Sequence, residues 1–188
     1  LAAVISTEMD NLTTSSQSFL KNKLNRITSN YGMGGNAKNE RFIITANVQI
    51  ITKDITATAP PMHVYTLEVG FYIGDGIDGN LFASISKVFK GVGETETKAY
   101  KSALKNIKPN DIIFRSFIQE GKNKIMEYYN TQCDLLLKEA LTKADIKQFE
   151  LALNDLTAIP EVCKECYFKT QDTLVYVYKK MIENQDIK

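Results

Sequence analysis

The 188-residue chain has no tryptophan, one histidine (His63) and three cysteines (Cys133, Cys163, Cys166). Each scarcity narrows the chemistry. With a single histidine, Ser–His–Asp and Cys–His catalysis would both have to be built on His63, and no motif surrounds it. Carboxylate pairs occur only on faces that read as solvated, so no catalytic residues are assigned. A low, odd cysteine count does not describe a disulfide scaffold. It favours a reducing compartment, with one bridge from Cys133 to Cys163 or Cys166 open if the protein is exported. No apolar run approaches the ~20 residues needed to cross a bilayer, so no transmembrane segment is expected. Leu1 to Ile5 is apolar but too short for a signal peptide and lacks a basic flank. The first residue is not Met, which leads to the expectation of a processed, shortened or renumbered chain. The net charge is only +1 and is balanced within each half. Neither half offers the basic footprint that nucleic acid or an anionic membrane requires.

What the chain does contain is enough apolar material for a core: 44% of residues are hydrophobic and 24% are charged, proportions typical of a folded domain. Ala2 to Ser6 reads as a short strand. Asn11 to Ser15 offers helix caps, and Phe19, Leu20, Leu24, Ile27 and Tyr31 follow at helical spacing. Gly32 to Asn36 stops that helix. Arg41 to Thr52 alternates, with Phe42, Ile44, Ala46, Val48 and Ile50 on one face. After Pro60-Pro61, Tyr65, Leu67, Val69, Phe71 and Ile73 form a second alternating row. Gly74 to Asn80 is dense in turn formers, and Leu81, Ala83, Ile85 and Phe89 continue as a return strand. Beyond Gly91-Val92-Gly93 only helical patterns remain. Ala99 to Ile107 gives one helix, closed by Pro109. Phe114 to Leu141 gives a long stripe with Gly121 as a weak point. Phe149 to Leu156 gives a short helix ending at Ile159-Pro160, and Cys166 to Met181 the last. The polar end from Glu183 to Lys188 is expected to fray.

The expected fold is therefore α+β. A small mixed sheet of three to four strands is packed by two helices and followed by an all-α helical-hairpin region. The first strand–helix–strand step suits a parallel crossover, and the later strands suit an antiparallel meander. The boundary is set at Pro109-Asn110, giving a sheet domain over 1–109 and a helical domain over 110–188.

Three constellations were weighed for ligand chemistry. Cys163-Lys164-Glu165-Cys166 has the CxxC spacing of a half zinc site, but four ligands are needed, and only Cys133 and His63 could complete it. Gly91-Val92-Gly93 before a helix lacks the remainder of a phosphate-binding fingerprint, and Glu94 and Glu96 would repel an anion. It reads instead as a turn of close backbone packing. Asp75, Asp78 and Asn80 lack calcium-loop spacing and read as a solvated turn. No cofactor is expected. The surplus of tyrosines at Tyr128, Tyr129, Tyr167, Tyr176 and Tyr178 exceeds what a helical core needs. It marks a candidate interaction surface, since tyrosine suits sites with one wet end.

The opening strand, the Phe19–Ile27 helix, the Arg41-Phe42-Ile43-Ile44 strand and the stretch Phe82-Ala83-Ser84 … Lys90-Gly91-Val92-Gly93 … Ala99 … Ala103 resemble a known domain. It is the small αβ domain at the amino end of TolB and in LPP20-type and curli-assembly-type envelope proteins. Leu136, Ala140 and Ala152 resemble a degenerate tetratricopeptide helix pair, with Pro160 about four residues early. In Lys- and Asn-rich style the chain is similar to proteins of gut Bacteroidetes and their tailed phages. The resemblance implies docking rather than catalysis. It points to a non-enzymatic assembly protein with protein partners, in an oligomer or larger complex, located in the periplasm or cell envelope or in a virion. The alternative is a small-ligand or metal-binding module using Cys133, Cys163 and Cys166.

Overall fold

The computed structural model describes residues 1–6, 13–34, 41–161 and 163–186. The candidate caps Asn11 and Leu12 and the helix-stop residues Gly35 and Asn36 lie outside them, as do Ile187 and Lys188 of the polar end. The elements are β1 (Ala2–Ala3), α1 (Thr14–Asn30), β2 (Phe42–Ile55), β3 (His63–Asp75), β4 (Leu81–Gly93), α2 (Glu96–Lys105), α3 (Ile112–Asp145), α4 (Phe149–Thr157) and α5 (Lys164–Asp186). This is an α+β fold. The sheet order is β1-β2-β3-β4. β1 runs parallel to β2, and the other two pairings are antiparallel. Two compact units result, Leu1–Gly121 and Lys122–Lys188.

In the first unit, β3 is the central row. Tyr65, Leu67, Val69, Phe71 and Ile73 all point inward and are buried, as their alternation predicts. Their register partners on β2 include Ile44, Ala46, Val48 and Ile50, and on β4 Gly91, Phe89, Lys87, Ile85 and Ala83. Leu81 departs from the expected pattern. A register shift at Ile73/Gly74 inserts an extra residue into β4, so Phe82 is buried and Leu81 faces solvent. Phe82 meets Phe42 of β2, ring centres 6.0 Å apart.

Helix α1 is capped by the Thr13 side chain on Ser16 N and buries Leu20, Leu24 and Ile27. Its Lys23 ammonium donates to the carbonyls of Lys105 (3.2 Å) and Ile107 (2.6 Å) at the end of α2, where cations complement the helix dipole. Helix α2 is capped by Thr95 and lies directly on β4. A Cβ at Gly91 would fall inside the radii of Ala103 N and Ala99 O, and one at Gly93 would meet the Ala99 backbone. The glycine pair thus sets the helix–sheet distance, as the close-packing reading of Gly91-Val92-Gly93 anticipates.

Gly121 is not a weak point, because α3 runs through it unbroken. It is buried, and a Cβ there would strike Ile73 of the sheet. With Phe114 set edge-on against Phe71 at 4.9 Å, this packing draws the first turns of α3 into the sheet unit. The compact units accordingly divide at Gly121/Lys122 rather than at the proline before the helix.

The hairpin turn after β3 is not simply solvated. Asp75 is buried. Its Oδ1 accepts from Ile77 N (2.8 Å) and Asp78 N (3.1 Å), and its Oδ2 takes Arg41 Nε at 2.8 Å. Arg41 Nη2 also meets Asp78 Oδ2 at 2.6 Å. Removing one partner of such a buried pair leaves the other uncompensated. The arrangement ties the first residue before β2 to the far hairpin and pairs both Asp75 and Asp78 with the Arg41 guanidinium.

The Gly91 contact gives a sharp test. Gly91→Ala should destabilise the protein by about 2–3 kcal/mol through overpacking against helix backbone. Gly79→Ala should cost only about 1–2 kcal/mol, because there a left-handed φ of 74° meets open space. Equilibrium urea denaturation of the two variants checks the ranking.

Candidate functional site

The second unit is small. Ala140 and Ala144 of α3, Phe149, Ala152 and Leu156 of α4 and Val177 of α5 form its core, with Leu137, Leu141, Leu153, Leu174 and Met181 packed around them. Small alanines let the helices approach closely. Lys147, with φ 65°, turns the chain between α3 and α4. Lys143 pairs with Asp155 at 2.5 Å, and Lys169 with Asp134 at 3.0 Å. Lys180 pairs with Asp145.

Cys133 and Cys166 are joined in a disulfide, with Cα atoms 5.6 Å apart. Cys163 remains a free, buried thiol, and burial pushes its pKa up. This corrects two expectations. A bridged pair cannot supply thiolates, so the Cys133/Cys163/Cys166 ligand set does not exist. A bridge also persists in oxidising surroundings, which goes against the expected reducing compartment. His63 sits at the start of β3, half-buried, in register with Ile55 and Gly93. Among the described residues no group of three or more His, Cys, Asp or Glu could hold a metal ion. Among the described residues no helix is long and apolar enough to cross a membrane.

The five tyrosines separate. Tyr129 is fully buried, packed edge-on by Tyr128 at 5.4 Å, and so leaves the proposed surface. Tyr128 and Tyr167 are half-buried. Tyr176 and Tyr178 are about half exposed, at 50% and 46%. Both lie on the outside of α5, where they meet residues that the tyrosine count overlooks. Phe168, Val175 and Ile182 are exposed by 67%, 54% and 53%.

These three lie seven residues apart, which places them on one line down a helix. Gln171 and Tyr178 fill the intervening seam positions. The inner face of α5 buries Cys166, Thr170 and Val177, with Leu174 and Met181 against the core. Helix α5 therefore carries two apolar faces and has an intramolecular partner for one. Phe168, Val175, Tyr178 and Ile182 thus leave apolar side chains in solvent along one side of the helix, with Gln171 among them. The sequence signal for it is the heptad spacing of Phe168, Val175 and Ile182, masked by the stronger inner stripe from Cys166 to Met181. Beside it, Leu141, Asp145, Asp172, Thr173 and Tyr176 line a shallow groove of about 340 Å³.

The sheet unit holds a second concavity of about 200 Å³, lined by Thr13, Ser16, Ile50, Lys53, Tyr65, Glu96, Thr97 and Tyr100. Tyr65 donates to Glu96 Oε2 at 2.6 Å. Lys53 stands 3.7 Å from the same oxygen and over the Tyr65 ring. The Tyr65 hydrogen bond, followed by the Lys53 charge, holds the Glu96 carboxyl below its usual range. Burial, then the bond to Glu96, pushes Tyr65 up. Burial alone pushes Tyr100 up to about 12, and its hydroxyl has no partner among the described residues. The single carboxylate here is already engaged. Through these contacts the cluster joins β2 and β3 to the start of α2.

No family model matches the chain, and no curated protein is similar to it in sequence. Solved structures that resemble it include two lipoproteins. A minor lipoprotein from Acinetobacter baumannii is 14% identical, covering 65% of this chain and 91% of its own, with a TM-score of 0.39. A protein described as a lipoprotein of Caulobacter crescentus is 10% identical, covering 66% of this chain and 82% of its own, with a TM-score of 0.34. Likenesses at this level carry no argument about what the chain does.

The Glu96 cluster predicts a pH effect with a definite sign. The folded state holds the Glu96 proton less tightly than the unfolded chain does. Its contribution to stability is complete above the ordinary carboxylate value of 4.5 and is lost as pH falls through the lower folded value. Glu96→Gln should flatten the fall of stability between about pH 5 and pH 3, while Glu94 and Asp111, also held low by lysines, keep part of the slope. Thermal melts across that range measure it.

Proposed function

We propose that this chain is a non-enzymatic protein–protein interaction subunit that works by assembly, in a cell-envelope complex or a phage particle. The observation that carries the reading is the outer face of α5. Phe168, Val175, Tyr178 and Ile182 stand in solvent on one line of a helix whose other face is already packed. Leaving that much apolar surface wet is unfavourable, at about 25 cal/mol per Å², and covering it favours association. Tyr176 and Tyr178 add amphipathic rings of the kind found in binding surfaces. The Cys133–Cys166 bridge agrees with a periplasmic or virion setting, where disulfides persist. The resemblance of residues 2–107 to docking-type envelope domains supports the same reading.

A tagged chain returned to its native host tests it. The natural sequence should retrieve defined protein partners in stoichiometric amounts. Phe168→Asp combined with Val175→Asp should lower that yield by at least about tenfold, while the far-ultraviolet circular dichroism and melting temperature stay nearly unchanged, because exposed positions tolerate substitution. A natural chain that is strictly monomeric and retrieves nothing overturns the reading.

A further inference from the structure

We infer that the occupant of the α5 face is a second copy of this chain, docked antiparallel about a two-fold axis. This deepens the assembly reading and rests on it.

The pattern of α5 defines the seam. With Phe168, Val175 and Ile182 as the first core position of each heptad, Gln171 and Tyr178 take the second. No charged residue stands at any of these five places. The flanking positions next to the second core residues are Asp172 and Lys179, one acidic and one basic, and both are exposed. Neither has an ion pair within the chain among the described residues, whereas neighbouring Lys169 and Lys180 are each paired to α3.

The orientation follows from those two charges. In a parallel pair, each flanking position faces the residue just before a first core position, here Tyr167, Leu174 and Met181. Leu174 and Met181 are packed against their own core, so Asp172 and Lys179 would meet no opposite charge. In an antiparallel pair, flanking positions of the same kind meet each other. With Val175 layered on the partner's Tyr178, Asp172 comes beside the partner's Lys179, and symmetry makes the same contact again. Ile182 then layers on the partner's Gln171. The match is self-complementary, as a two-fold interface requires. A segment from Phe168 to Ile182 spans four helical turns, enough for two aromatic–aliphatic layers about the axis. Between Phe168 and Ile182 this register sets no like charges opposite each other. Opposite charge at the rim sets orientation more than raw affinity, which makes charge reversal the informative test.

Sedimentation velocity of the full chain over a range of concentrations reads the outcome. The natural protein should show a reversible monomer–dimer equilibrium. Asp172→Lys alone, or Lys179→Asp alone, should raise the dimer Kd by roughly tenfold, because each turns two attractions into two repulsions. The double variant, Asp172→Lys with Lys179→Asp, should restore the natural Kd. A dimer indifferent to all three variants, or one that the double variant fails to restore, overturns the antiparallel pairing. A natural chain that stays monomeric, yet loses a different stoichiometric partner when Phe168 and Val175 are charged, overturns self-association and leaves the assembly reading standing. A monomer with no partner of any kind ends both.

Discussion

The inward row of β3, Tyr65 to Ile73, is the constraint on which the sheet unit depends. Five consecutive inward side chains are almost completely buried, and every strand and helix around them is placed to keep them so. β2 and β4 flank the row in antiparallel register. Helix α2 is brought down onto it through Gly91 and Gly93, and the start of α3 through Gly121. The other face of β4 stays wet, with Val88 and Val92 half exposed. Among the described residues of this unit, the helices pack on the face that carries this row, which is the arrangement an antiparallel meander permits.

Polar ties finish what burial begins. Arg41, Asp75 and Asp78 lock the hairpin end of the sheet. Tyr65, Glu96 and Lys53 join the opposite end of β3 to α2. Both clusters gather ionisable groups in ways that could be mistaken for sites. In each, the partners are other protein groups, hydrogen-bonded except for the 3.7 Å Lys53–Glu96 ion pair. The helical unit differs. Its core is small and alanine-rich, a disulfide joins α3 to α5, and α5 exposes Phe168, Val175, Tyr178 and Ile182.

Most of the sheet unit was legible because its signals are local. Alternation gives β3, glycine-rich punctuation gives the hairpin, and Thr13 lies within the stretch read as offering caps for α1. Leu81 was misplaced because a bulge shifts register by one residue, and nothing in the alternating pattern announces it. Gly121 read as a weak point because glycine lowers helix propensity, whereas the packing against Ile73 decides its role. The pairing of Cys133 with Cys166 was one of two left open, because both Cys163 and Cys166 lie near the start of α5 and only the turn of that helix separates them. The candidate surface was half legible. Counting tyrosines found Tyr176 and Tyr178 but admitted Tyr129, which is core. Phe168, Val175 and Ile182 escaped because two apolar stripes on one helix blur each other's periodicity, and burial alone tells the inner from the outer.

The central claim is that α5 presents a second apolar face that another copy of this chain covers. Hydroxyl-radical footprinting read residue by residue, in dilute and in concentrated protein, tests it most directly. The account predicts heavy modification of Phe168 and Tyr178 at high dilution, protection of both as concentration rises, and protection of Tyr129 throughout. Phe168 shielded even in the most dilute sample, or equally reactive at every concentration, would contradict it.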